Sequence, residues 1–312
     1  MTATVPSPST TEMLDQVLGD VAGLTGSGQV ATYIPALARV PRRKLAVSTA
    51  DIGGSVHGSG NYEEKFSIQS IHKIFSLTVA LAQSPGSDLW ERVWREPSGD
   101  PFNSVVLLER ENGVPRNPLI NAGAIVVADL LIELLREDPV GTVCEMLSEL
   151  SGSQVEVDSE VADSEAETGF RNRSLANLLK SYGNLTNEVE VALDVYFRLS
   201  GIAMTTAELA TATRFLANDG VDPISGKQIL SAQDARRVNS LMLMAGTYDA
   251  AGAFAYEIGI PCKSGVGGGI VGVVPEVTSV CVWSPGLDET GNSLAGRAAL
   301  ASFVKRSGLS VF

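Results

Sequence analysis

The chain has 312 residues, 6% of them aromatic and 19% charged, with a mean hydropathy of +0.14. These values exclude a disordered chain and leave enough length for a substantial core. The formal net charge of −13 argues against nucleic acid or an anionic membrane as a partner.

The first 24 residues contain no basic leader and no continuous apolar run. Met13, Leu14, Val17, Leu18 and Val21 instead recur at helical spacing, which predicts a helix over 11–21 and no secretory signal. Cys144, Cys262 and Cys281 are scattered, and His57 and His72 are the only histidines. No zinc spacing or disulfide framework results, so reduced thiols in the cytosol and no metal are expected. Pro35 marks a turn or short helix start, and Tyr33 just before it reads, from the residues alone, as packing. Residues 45–49 alternate as a strand, and 55–60 read as a turn or second strand. Residues 65–68 alternate again and feed a helix that carries Ser70 and runs to Gln83, ended by Ser84-Pro85-Gly86.

Residues 87–250 read as mostly helical, over 123–136, 142–150, 175–179, 188–199, 206–217 and 232–244, with turns at Asp219-Gly220 and Ser225-Gly226. The most apolar stretch, 123–135, is interrupted by Asp129 and Glu133 and is too short to span a bilayer. Strand character returns at 254–260, 263–274 and 278–283, before a closing helix over 292–305 with Gly308 just beyond it. Strands at both ends with helices between predict an α/β (α+β) architecture. The sheet is expected from residues 1–70 and 250–312, with the two terminal helices on one face. A mainly helical part over 71–249 is inserted, and the active site lies between the two.

Two motifs carry chemistry. Ser70 and Lys73 form S-x-x-K, and on a helix this spacing puts hydroxyl and amine on one face. An amine among Ile71, Ile74 and Phe75 is poorly solvated, which lowers its pKa and lets it take a proton from a serine. Bringing a lysine from about 10.4 to near 7 requires about 4 kcal/mol of tuning. A strand that delivers Ser70 to a helix N-terminus would also supply an oxyanion donor from its own backbone. Taken alone, S-x-x-K is more often a helix cap beside a solvated lysine. The second motif is Lys263-Ser264-Gly265, the K-[ST]-G box of serine acyl-transfer enzymes. Gly267-x-Gly269-x-x-Gly272 matches the dinucleotide fingerprint in form, but Ile270–Val274 before Pro275 reads as a strand where that fingerprint needs a helix. The two boxes in this order point to an acyl-transferring serine enzyme. Tyr182-Gly183-Asn184 is the candidate for the middle Y-x-N box.

Several further stretches carry a resemblance. They are Thr32-Tyr33-Ile34-Pro35-Ala36-Leu37-Ala38, Phe66–Lys73, Pro115–Ile125 containing Asn121-Ala-Gly-Ala-Ile, Ser164-Glu165 with Arg171-Asn172, Tyr248-Asp-Ala-Ala-Gly, Lys263–Gly269 and Trp283–Ser293. Together the chain resembles the serine-dependent glutaminases, a family with the β-lactamase-like fold. The resemblance implies hydrolysis of L-glutamine to L-glutamate and ammonia, without a cofactor, by a homodimer or homotetramer. It implies Ser70 as nucleophile, Lys73 as base, and Tyr33 or Tyr248 as proton relay. Asn121, Glu165, Asn172, Tyr196, Tyr248 and Val266 would line the substrate site, with the N–H groups of Ser70 and Val266 as oxyanion hole and Lys263 and Ser264 in support. Glu165 suits the substrate ammonium, and Asn121, Asn172 and Tyr196 offer neutral donors to its carboxylate. Read without the resemblance, Glu165 is a solvated charge in the acidic run 156–167, Asn121 and Asn172 are caps, and Tyr196 is core.

Two positions depart from the family pattern. His72 stands where serine is usual and is expected to point away from Ser70, with little effect. Cys262 stands where a small residue is usual, as a buried spectator or an oxidisable thiol beside Lys263. A β-lactamase or penicillin-binding-type hydrolase, and a non-catalytic amino-acid-binding protein on the same fold, remain as alternatives.

Overall fold

The computed structural model describes residues 10–84 and 89–312, so the predicted turn at Ser84-Pro85-Gly86 falls mostly outside the described residues. Among the described residues, eight strands form two antiparallel sheets. They are β1 (Ala46–Asp51), β2 (Val56–Gly60), β3 (Phe66–Ser67), β4 (Glu156–Val157), β5 (Ile202–Met204), β6 (Cys262–Ser264), β7 (Gly269–Val274) and β8 (Thr278–Trp283). The larger sheet has the order β2-β1-β8-β7-β6, with Ala46 opposite Trp283 and Gly269 opposite Trp283 on the other side.

Both faces of this sheet are buried, which is why β7 and β8 read as near-continuous apolar runs. Alternation sorts the side chains. Val47, Ile270, Val280 and Val282 face the terminal helices Thr10–Val21 and Leu294–Ser307, against Leu14, Val17, Leu300 and Phe303. Asp20 joins those two helices through Arg306 (2.8 Å) and Ser302 (2.6 Å). Ala46, Ala50, Cys281 and Trp283 face the other way, into the main core with Phe75, Ile125 and Leu209. There the helix Thr206–Thr213 lies on the sheet, with Ser48 Oγ 2.8 Å from Thr206 Oγ1.

The fold is the predicted α/β arrangement, with three local differences. Residues 254–260, expected as a strand, belong mostly to the helix Ala251–Glu257. Ala251, Phe254 and Ile258 are buried at three- and four-residue spacing, a helical stripe that the β-branched end of the segment obscures. The strand before Ser70 does not join the main sheet. Its Phe66 pairs with Met204 in a small sheet of order β3-β5-β4, whose members are too short to show periodicity. Ser70 itself lies in a 3₁₀ turn, Gln69–Ile71, and the α-helix begins at His72.

The helix Asn121–Leu135 is buried nearly all round and holds Asp129 at its centre. Asp129 pairs with Arg92 and accepts from Thr186 N (3.0 Å), Asn187 N (2.9 Å) and Asn187 Nδ2 (3.0 Å). Burial alone would raise its pKa, but these donors together hold it below the ordinary value. Asp129→Ala would take from Arg92 the more buried of its two carboxylate partners, leaving Glu133, and would leave two backbone N–H groups unmet, so a loss of about 3 kcal/mol in urea unfolding is expected. In the parent, the contribution of Asp129 is present above the ordinary carboxylate range and lost as pH falls through the depressed value. Among the described residues no helix is long and apolar enough to cross a membrane.

Candidate active site

Ser70 is presented by a constrained turn. Gln69, just before it, has φ +49°, in the left-handed region that non-glycine residues rarely occupy. The Gln69 amide holds that conformation by donating to Ser67 Oγ (3.1 Å) and Ser200 O (3.2 Å). One helical turn on, Lys73 is 1% exposed. Its Nζ donates to Asn121 Oδ1 (2.7 Å) and Leu119 O (3.3 Å), and lies 5.8 Å from the ring centroid of Tyr196. Asn121 in turn donates to Asn172 Oδ1 at 2.9 Å. Desolvation brings Lys73 down to about 7, against the pull of the nearby Glu165 carboxylate. Burial pushes Glu165 up to about 7, opposed by Lys73 and by the Gln69 amide.

The glycine-rich segment after β6 closes on this turn. A Cβ at Gly265 would collide with Ile68 O, and one at Gly267 with Ser67 O. Glycine therefore allows this backbone to lie directly against the residues that lead into Ser70. Between the two glycines, the Val266 N–H makes no hydrogen bond among the described residues. β7 follows as a strand, as the rejection of the dinucleotide reading requires.

Behind this loop Lys263 is fully buried and donates to Gly246 O (3.0 Å) and Ser264 O (2.6 Å). Desolvation, then repulsion from Lys73, holds its pKa well below the ordinary lysine value. The Tyr248 hydroxyl donates to the same Ser264 O (3.1 Å) and is in side-chain hydrogen-bonding contact with Ser70. Tyr248 also has a positive φ, +57°. Ser264 Oγ donates to Asn292 Oδ1 (2.5 Å), and Asn292 Nδ2 reaches Thr247 O (3.1 Å).

A cavity of about 200 Å³ opens over Ser70, with Tyr33, Asn121, Glu165, Asn172, Tyr196 and Val266 among its walls. Seven of the eleven sequence-derived site residues thus surround one space. Lys73, Tyr248, Lys263 and Ser264 stand behind it as the groups that touch or brace its wall. Tyr33 is 59% exposed, so it is a wall residue and not core packing.

One expectation is corrected and two are narrowed. Tyr182-Gly183-Asn184 is not part of the site: Asn184 is spent on Arg92 O and Gly113 O, both at 2.8 Å, and the amide beside Lys73 comes from Asn121. His72 is absent from the cavity lining, in keeping with the expectation, but it backs one of the cavity's walls. Its ring is buried edge-on against Tyr196, 5.6 Å between centroids, and neither ring nitrogen has a hydrogen-bond partner among the described residues. Burial, then Lys73 and Lys263, keeps it neutral. Cys262 is buried and its thiol is pushed up to about 12, which makes it an inert spectator. Sequence reasoning missed Gln69 and Phe102 in the wall and Asn292 behind Ser264; no spacing rule singles out any of them.

The profile of the family described as Glutaminase matches residues 28–312. The glutaminase of Mesorhizobium japonicum is 48% identical over 308 residues, covering 98% of both chains. The chain belongs to the glutaminase family. It hydrolyses glutamine to glutamate and ammonia. Another glutaminase relative, from Streptomyces coelicolor, is 50% identical over 301 residues, covering 96% of this chain and 97% of its own. Among solved structures, the probable glutaminase ybaS superposes with a TM-score of 0.89 at 38% identity, covering 97% of this chain and 99% of its own. Mglu in its glutamate form gives 0.92 at 33% identity, over 98% of this chain and 70% of that one. Glutaminases have the β-lactamase-like fold, and this one builds it with the main sheet and helices described above.

Proposed function

We propose that this glutaminase works through a glutamyl ester on Ser70. The observation that carries the reading is a buried lysine amine, desolvated to about 7, one helical turn from a serine at the floor of the cavity. Lys73 accepts the Ser70 proton as Oγ attacks the side-chain amide carbon. The N–H groups of Ser70 and Val266 hold the oxyanion, and one such donor is worth roughly 3 kcal/mol. Tyr248, in contact with Ser70, relays the proton to the departing ammonia, and Tyr33 closes the outer wall. Water then cleaves the ester. Lys263 and Ser264 brace Tyr248 through one shared carbonyl.

In this reading Glu165 holds the substrate ammonium, while Asn121, Asn172 and Tyr196 hold its carboxylate. Glu165→Gln should raise KM for glutamine about 30-fold, the equivalent of roughly 2 kcal/mol for a charge-assisted hydrogen bond, with a smaller change in kcat. Steady-state kinetics check the split. No metal ion or organic cofactor enters the scheme.

The same reading divides the chain into a sheet part, 1–70 with 250–312, and a helical part, 71–249. It places the enzyme in the cytosol as a homodimer or homotetramer. Acid quench during turnover, followed by peptide mass analysis, tests the mechanism. The Ser70 peptide should gain the mass of a glutamyl acyl group. Full turnover with that peptide unmodified at every quench time would sink it.

A further inference from the structure

A second, larger cavity of about 810 Å³ adjoins the catalytic one, and Tyr33, Phe102 and Val266 line both. Free glutamine releases only ammonia and needs none of this space. Its position relative to the reacting atoms is specific. With the substrate's ammonium and carboxylate among Glu165, Asn121, Asn172 and Tyr196, the scissile amide lies at the opposite end, between Ser70 and Val266. The amide nitrogen then faces the wall shared with the second cavity. The relay residue stands directly behind that wall: the Tyr248 ring packs on Phe102 at 4.5 Å between centroids. Gly291, which lines the second cavity, leaves room beside Tyr248, since a Cβ there would lie 3.8 Å from the ring.

The lining of this cavity has one sign of charge. Asp249, Asp288 and Glu289 border it, and among the described residues no lysine or arginine lines it. Asp288 is occupied within its own turn, accepting from Thr290 N (2.9 Å), Thr290 Oγ1 (2.7 Å) and Asn292 N (3.0 Å). Asp249 and Glu289 are exposed.

We propose that the second cavity is a leaving-group site, and that the enzyme hydrolyses γ-N-alkyl amides of glutamate, favouring those whose alkyl chain ends in an ammonium group. The inference rests on the Ser70 ester reading. The Ser70 Oγ–carbonyl bond forms and the carbonyl–N bond breaks. The serine proton passes through Lys73 and Tyr248 to the departing nitrogen, and the amine leaves into the second cavity. Water then releases glutamate, so one amide and one water give one glutamate and one amine.

The test is glutamate release from three amides of matched length, N-butyl, N-(aminobutyl) and N-(carboxypropyl), with glutamine alongside. All three should be turned over, with the aminobutyl amide exceeding the carboxypropyl amide about tenfold in kcat/KM at low salt and the gap narrowing as salt rises. Thr32 lines the second cavity only. Thr32→Trp should lower kcat/KM on the butyl amide about tenfold by filling the space, with glutamine unchanged. Glu289→Lys should reduce or reverse the charge preference. Hydrolysis of glutamine with none of the amides cleaved overturns the inference, as does a Thr32→Trp effect equal on glutamine and the butyl amide. Failure of glutamine itself to label Ser70 would instead overturn the ester reading beneath it.

Discussion

Ser70→Ala should lower kcat for glutamine by on the order of 10⁴-fold or more, as removal of a nucleophile does in other serine hydrolases. The reasoning is local. Ser70 is the hydroxyl that lines the cavity, touches Tyr248 and sits one turn before the desolvated lysine. The substitution removes one oxygen from a partly exposed position, so the turn and core are retained and the thermal melt should stay near the parent's. Glutamine should still bind, because Glu165, Asn121, Asn172 and Tyr196 are untouched. A direct ammonia assay with an isothermal titration of glutamine separates the two effects. Parent-like ammonia release from this variant would end the covalent mechanism.

Lys73→Met should cost about 10³-fold in kcat, within the range expected for a positioned general base together with its nucleophile. The pH profile gives a sharper readout. Below about 7 Lys73 carries a proton and cannot act as base. In the same range Glu165 carries a proton and cannot hold an ammonium. Both groups must lose a proton, so kcat/KM of the parent should rise with pH through about 7, more steeply than a single ionisation allows. In Lys73→Met the surviving limb belongs to Glu165. Without the lysine's charge, which favours the carboxylate, that limb should move to higher pH and become a one-proton step. A limb unchanged in position and slope in Lys73→Met would show that Lys73 does not contribute to it. Lys73→Arg should not rescue, because a guanidinium cannot serve as the base at any working pH.

Much of this arrangement was legible from residue order, and the illegible parts have physical causes. S-x-x-K and K-[ST]-G are local patterns, and glycines at 265 and 267 report directly on a close backbone approach. β1 was readable from the alternation of 45–49, whereas β8, buried on both faces, was readable only as a β-branched run. Glu165 was not readable from its neighbours. It lies in an acidic run whose other carboxylates are mostly exposed, and only tertiary packing buries this one. The Tyr182–Asn184 assignment failed because a three-residue pattern carries no information about which helix end faces the lysine. Helical geometry kept His72 out of the cavity but could not show which residue its ring would meet. Tyr196 comes from a helix more than a hundred residues away, and only tertiary packing brings its ring edge-on to His72. The helix at 251–257 was mistaken for a strand because Ile258 and Ile260 extend its apolar character past its end.

The pairing of β1 with β8 bears on how the enzyme is made. β1 lies between β2 and β8, so on a ribosome its second edge waits unfilled until β8, with Thr278 lying 228 residues beyond Ala50, has left the exit tunnel. During that interval the nascent polypeptide already carries its serine and lysine but lacks the loop that presents Val266. The helices between can condense early, while the sheet closes late through contacts distant in sequence, a slow step that leaves a strand edge open to other chains. Activity should therefore switch on only after β8 has emerged and paired with β1, and overproduction at high temperature should fail through aggregation of chains caught before that closure.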